Sequence, residues 1–159
     1  MRTDLRLIVF VFLTLLAGCT RTPGLAAFTS DGCSLFPDSS VISSSDWCEC
    51  CFEHDIAYWR GGTADQRKAA DAQLKQCVAD KTGNTALAAL MYEGVRVGGS
   101  PYFYNWYRWG YGWKFERKYQ ALTPAEVRQS EQLLADYRAS DAKPVCAGPV
   151  ATPKLDVEP

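Results

Sequence analysis

Apolar positions along this chain recur at helical spacing. No alternating period of useful length appears, so helices should dominate and strands should be minor. The first helix is predicted from about Asp46 to Arg60, capped by Ser45 and stopped by Gly61-Gly62. A second starts at once. Thr63-Ala64-Asp65-Gln66 forms a capping box with Thr63 as N-cap, and the helix should reach about Lys81 and stop at Gly83. A third, 85–97, carries Leu87, Leu90, Met91 and Val95 on one face. A fourth opens with Thr123-Pro124-Ala125-Glu126, a capping box with proline at the first helical position, and runs to about Ala139. Residues 31–44 are rich in Ser, Asp, Gly and Pro and read as an irregular loop.

The N-terminus follows other rules. Arg2 and Arg6 precede an uncharged run from Leu7 to Gly18, the architecture of a signal peptide with Asp4 as an unusual guest. The run is shorter than the roughly 20 residues a membrane-spanning helix needs. It ends Leu16-Ala17-Gly18-Cys19, which resembles a bacterial lipoprotein signal in which the cysteine takes the lipid. The expected organisation is a signal peptide over 1–18, lipidated Cys19 and a tether over 19–30, one domain over 31–146, and a disordered tail over 147–159. The expected location is exported, on a bacterial membrane, at its periplasmic or cell-surface face. Loss of Arg2, Asp4 and Arg6 with the leader moves the formal net charge from −1 to −2. That balance offers no basic excess for nucleic acid.

Seven cysteines are present. With Cys19 set aside, Cys33, Cys48, Cys50, Cys51, Cys77 and Cys146 make an even number, which in an exported chain reads as three disulfides. Composition leaves their pairing open.

The chemistry concentrates in Cys50-Cys51-Phe52-Glu53-His54-Asp55-Ile56-Ala57-Tyr58, which holds the only histidine. A lone imidazole is a natural general base, and the carboxylate next to it points from another side of a helix. Gly61-Gly62 is too short a connection for anything but a helical hairpin. If Cys50 were bonded to Cys77, His54 would stand level with Gln73, and Asp71 would lie about 3 Å away along the axis. Asp71 is then the candidate partner of the His54 ring, with Tyr58 one turn further on. Ala57, Ala69 and Ala70 at this seam would allow close approach. Asp65, the other candidate, sits nearly two turns away and suits the first turn of its helix. A base oriented by a carboxylate can activate water without a serine, while Asp55 is placed to bind a cation. Calcium suits its oxygen chemistry.

These residues resemble the secreted calcium-dependent phospholipase A2 superfamily. The resemblance rests on Cys-Cys-x-x-His-Asp-x-x-Tyr, on an aspartate six residues before a cysteine in the second helix, and on Asp31-Gly32-Cys33-Ser34-x-x-Pro37-Asp38, which is closest to small microbial members. It covers about residues 31–78. It implies a mainly α, phospholipase A2-like fold with a disulfide-linked antiparallel helix pair, further helices and irregular loops. It implies hydrolysis of the sn-2 acyl ester of glycerophospholipids, with His54 as base, Asp71 orienting it and Tyr58 in support. Asp55, Asp31 and the Gly32 carbonyl match calcium ligands. The implied bridges are Cys50–Cys77 and Cys33–Cys51, leaving Cys48–Cys146. A further bridge of many members falls on Ala57 and Ala70, both lost together. The glycine-rich calcium loop of the animal enzymes is missing.

Other readings stand beside this one. The scaffold could serve a non-catalytic lipoprotein as a calcium or membrane-binding module, or a structural protein with a relict dyad. A zinc cluster of Cys48, Cys50, Cys51 and His54 is disfavoured by export and by the absence of a CxxC pair. Nine of the sixteen residues 100–115 are aromatic, with Arg108 and Lys114 among them. Such a segment suits a phospholipid headgroup region or caps the core of a small domain.

Overall fold

The computed structural model describes residues 24–39, 46–140 and 145–146. The expected signal peptide, Cys19, Ser45 and the tail 147–159 lie outside the described residues. Within them the protein is mainly helical: α1 Cys48–Arg60, α2 Ala64–Thr82, α3 Thr85–Gly98, a 3₁₀ turn Phe115–Arg117, and α4 Pro124–Ala139. The β content of the described residues is one isolated bridge, Ser39 to Asp46.

Local chemistry accounts for most helix ends. The predicted capping boxes at Thr63/Gln66 and Thr123/Glu126 both form. Asn84 caps α3 by accepting from the Leu87 amide at 2.9 Å. Gly83 ends α2 in the left-handed conformation, φ 66°, that glycine adopts without strain. The predicted start of α1 is corrected. The helix begins at Cys48, with Trp47 as a cap that offers no side-chain hydrogen bond. Asp46 accepts from the Cys48 amide instead, and the Trp47 indole donates to the Pro37 carbonyl at 2.7 Å.

Cross-helix partners fall in number as the chain rises: Glu49 with Lys81, Cys50 with Cys77, His54 with Asp71, Tyr58 with Arg67. That order makes α1 and α2 antiparallel. The disulfides are Cys33–Cys51, Cys48–Cys146 and Cys50–Cys77, the pairings the resemblance implies. Around them Trp47, Leu74, Val78, Ala88 and Met91 form one core cluster between α1, α2 and α3.

A second cluster corrects the tether assigned to 19–30. Its described part is packed, with Leu25 and Phe28 buried against Ile56, Trp59, Trp113 and Leu134. The Trp59 indole donates to the Ala26 carbonyl and the Ala26 amide to the Gly112 carbonyl, each at 2.8 Å. Two smaller corrections concern faces. Ala69 points to solvent rather than into the seam. Leu90 is 62% exposed although it shares a helix face with buried Met91.

The aromatic segment after α3 divides. Its inner part satisfies the carbonyls that a helix C-terminus leaves orphaned. The Gly110 amide reaches the Tyr58 carbonyl at 2.6 Å, and the Trp113 indole reaches the Arg60 carbonyl at 2.7 Å. Trp109 and Trp113 are buried there, while Tyr102, Phe103, Tyr104 and Trp106 remain exposed.

Candidate active site

α1 presents His54, Asp55 and Tyr58 in little more than one turn. His54 and Tyr58 share the face that meets α2, and Asp55 turns toward the 29–34 loop. His54 Nε2 lies 2.9 Å from Asp71 Oδ1. The Tyr58 hydroxyl donates to the same oxygen at 2.8 Å. Asp71 has no solvent exposure. Burial works against its charge, yet hydrogen bonds from His54, Arg96 and Tyr58 outweigh it and hold the carboxyl below its ordinary range. Burial, and the Asp71 charge after it, push the Tyr58 phenol up, so Tyr58 stays a hydroxyl donor. Asp65 lies exposed in the first turn of α2, away from the dyad.

The other oxygen of Asp71 faces cations. Arg96 Nη1 donates to Oδ2 at 2.5 Å, and Arg67 Nε stands 3.9 Å from it. Arg67 is itself buried. It donates to the Tyr58 hydroxyl at 3.0 Å, the Tyr119 hydroxyl at 2.8 Å, and the carbonyls of Val95 and Arg96 at 2.8 and 2.7 Å.

On the neighbouring face, Asp55 is buried beneath the 29–34 loop. Ser30 donates to its Oδ2 at 2.6 Å, and the Asp31 amide also donates to its carboxylate. Desolvation nevertheless raises Asp55 from its ordinary value to about 7, helped by the charges of Asp31 and Asp38. No Lys or Arg among the described residues pairs with Asp55. Its ionised form therefore lacks a counter-charge, which a hard cation would supply. Gly32 holds φ 78° at this turn, and Asp38 packs over it, accepting from the Cys33 amide at 2.7 Å. Asp31 accepts from Ser34 at 2.9 Å. A cavity of about 260 Å³ adjoins Asp31 and Asp55 and is walled by Trp106, Tyr107 and Tyr111.

A larger cavity, about 340 Å³, runs to His54 and Asp55. Its lining is mostly apolar, with Leu35, Phe36, Leu74, Leu90, Met91 and Val95 along the walls. Leu35 and Leu90 are also exposed, so they mark its mouth. No family model, curated protein or solved structure matches this chain.

The structure thus brings together His54, Asp71 and Tyr58, and separately Asp55, Asp31 and Gly32. Sequence reasoning missed Arg67, Arg96, Ser30 and Tyr111. Arg67 carried a signal: it precedes Asp71 by four residues and must share its helix face. Arg96 carried none, because it arrives from α3. Tyr111 donates to the Thr29 carbonyl at 2.6 Å and fastens the loop beside Asp55.

Proposed function

We propose that this protein is a calcium-dependent phospholipase A2-like hydrolase acting on the sn-2 ester of glycerophospholipids at a membrane surface. The observation that carries the reading is the His54–Asp71 pair at 2.9 Å, with His54 lining an apolar cavity beside a buried Asp55 that no Lys or Arg among the described residues pairs.

Asp71 accepts from Nε2–H, which fixes the tautomer and leaves Nδ1 to take a proton from water. The same carboxylate stabilises the imidazolium that forms. Tyr58 holds the carboxylate in place. The apolar cavity takes an acyl chain and keeps bulk water away from the base. Calcium, held by Asp55, Asp31 and the Gly32 carbonyl, would supply positive charge for the oxygen of the ester carbonyl. Among the described residues no three His, Cys, Asp or Glu side chains converge. The remaining ligands would have to be backbone carbonyls, hydroxyls and water.

The exposed rings Tyr102, Phe103, Tyr104 and Trp106, with Leu35 and Leu90 at the cavity mouth, are read as the surface that meets the phospholipid. Lys114 is exposed, and Lys118 Nζ stands 5.6 Å from the Tyr102 ring centroid, so cations that suit an anionic headgroup layer lie beside this surface. A lipid on Cys19 would hold the domain near that layer.

The test is fatty-acid release from mixed phospholipid vesicles with calcium, with chelator, and with His54→Gln. Release should require calcium and His54. Equal release in all three would remove the enzyme reading. Calcium-dependent vesicle binding without release would leave a membrane-binding module.

A further inference from the structure

Asp71 sorts its donors by oxygen. Oδ1 receives His54 Nε2 and the Tyr58 hydroxyl, while Oδ2 receives Arg96. A carboxylate turns about its last side-chain bond, and because its two oxygens are equivalent it is the angle of its plane, not the choice of oxygen, that its surroundings must fix for the base. A donor held on the far oxygen fixes that angle. Arg96 extends from the last turn of α3, and its own carbonyl is clamped by Arg67 Nη2 at 2.7 Å. Arg67 also takes the Val95 carbonyl and donates to the Tyr58 oxygen. The Tyr58 oxygen then accepts from Arg67, so its single hydrogen is directed to Asp71 rather than to Val95, whose carbonyl is already served.

We propose that Arg96, anchored through its backbone by Arg67, is a positioning residue that locks the Asp71 carboxylate and thereby the ring tautomer of His54. This rests on the reading of His54 as a base, but it concerns a group outside the base, its carboxylate and the cation ligands. Arg96 is partly exposed, with 29% of its side-chain surface accessible, so its substitution does not open a sealed core. Removing it leaves one buried oxygen of Asp71 without its nearest donor. The carboxylate then gains freedom to turn toward Arg67, at the expense of His54.

The single histidine makes the test direct. The ring ¹⁵N and ¹H signals of His54 are recorded in the full folded chain without substrate, at a fixed pH where the ring is neutral. The parent should show one tautomer, protonated at Nε2. Arg96→Met should show mixed tautomers and weaker protection of the Nε2 proton. Its kcat should fall about tenfold or more, with KM within about twofold, because neither arginine nor Asp71 lines the apolar cavity. Arg96→Lys, which restores a cation but not the planar fork, should recover part of the tautomer preference. If Arg96→Met fails to fold, Arg96→Gln takes its place in the same measurement, with Arg96→Lys kept as the partial rescue. A single Nε2–H tautomer in every folded Arg96 variant would overturn the proposal. The spectrum needs no turnover. An inactive parent whose tautomers mix in the variants would remove the hydrolase reading and retain the positioning role.

Discussion

His54 and Asp71 meet across a helical seam that is covalently closed one turn away, at Cys50–Cys77. Four residues of α1 separate His54 from Cys50, about 6 Å along the axis. The bridge spans 27 residues of sequence, and the chain-entropy estimate for such a loop is roughly 3–4 kcal/mol. Replacing Cys50 and Cys77 together by alanine should lower unfolding free energy by about 2–4 kcal/mol in a urea titration. Activity should fall by more than the unfolded fraction explains, because the register of His54 and Asp71 loosens. Activity that merely tracks the folded fraction would show that packing alone sets the register.

Gly99 lies against Tyr58 so closely that a Cβ there would come within 2.4 Å of Tyr58 Cε1 and 2.8 Å of the Val95 carbonyl oxygen. The second neighbour is backbone and cannot swing aside. Gly99→Ala should therefore cost about 1–3 kcal/mol of stability. It should also push Tyr58 off Asp71 and lower kcat more than it raises KM. An unchanged thermal midpoint would mean that α3 shifts freely at its C-terminus.

The seam shows what was legible in the sequence. Capping boxes at Thr63 and Thr123 announce two helices, because both halves of each cap lie within four residues. Asp71 follows from antiparallel register once a bridge is supposed. The start of α1 was not legible, because its N-cap Trp47 has no capping side chain and is held by the Pro37 carbonyl, while Asp46 serves the Cys48 amide from outside the helix. Leu25 and Phe28 were misread as tether for a similar reason. Their partners Trp59, Trp113 and Leu134 come from distant parts of the chain, and the segment is too short to show a period. Arg96 was invisible because its role depends on how α3 docks, which no local pattern encodes.

Asp55 carries a sign that can be tested. Its carboxyl is raised to about 7 when folded, whereas an unfolded aspartate ionises near pH ~4. The unfolded chain therefore loses this proton first, and folding stability from this group falls as pH climbs from about 4 to about 7, then levels. In chelator at about pH 8, Asp55→Asn should be the more stable protein by about 1–3 kcal/mol. With calcium the order should narrow or reverse, because only the parent gains binding energy, about 2.7 kcal/mol at a hundredfold excess over Kd. Equal calcium stabilisation of both proteins would remove Asp55 from the proposed cation site.

Glu126 carries the opposite sign. It accepts from both terminal nitrogens of Arg117 at 2.8 and 2.9 Å and from the Thr123 amide at 2.8 Å. These bonds, Arg117 first, hold its carboxyl down to about 2. A depressed carboxyl contributes stability that is complete above the ordinary value near pH ~4.3 and is lost as pH falls toward about 2. Glu126→Gln should be less stable than the parent by about 1–2 kcal/mol at neutral pH. The difference should vanish by about pH 2. Arg117 also stacks on Trp113 at 4.0 Å, so the loss should register in tryptophan fluorescence. A pH-independent difference would assign the effect to packing.

The exposed rings admit a test that does not pass through catalysis. Tyr104 is 87% exposed and Phe103 52%, so replacing both by serine removes little packing. Their thermal midpoints should therefore match the parent closely. Partition onto anionic phospholipid vesicles, measured by co-sedimentation, should drop about fivefold or more, since each ring contributes apolar area to the bilayer interface. The cations beside the rings make a second prediction: partition onto zwitterionic vesicles should be weaker from the start and less sensitive to salt. Undiminished partition of the double variant on both vesicle types would sink the docking surface and leave these rings as solvent-facing ends of the segment that closes the C-terminus of α1.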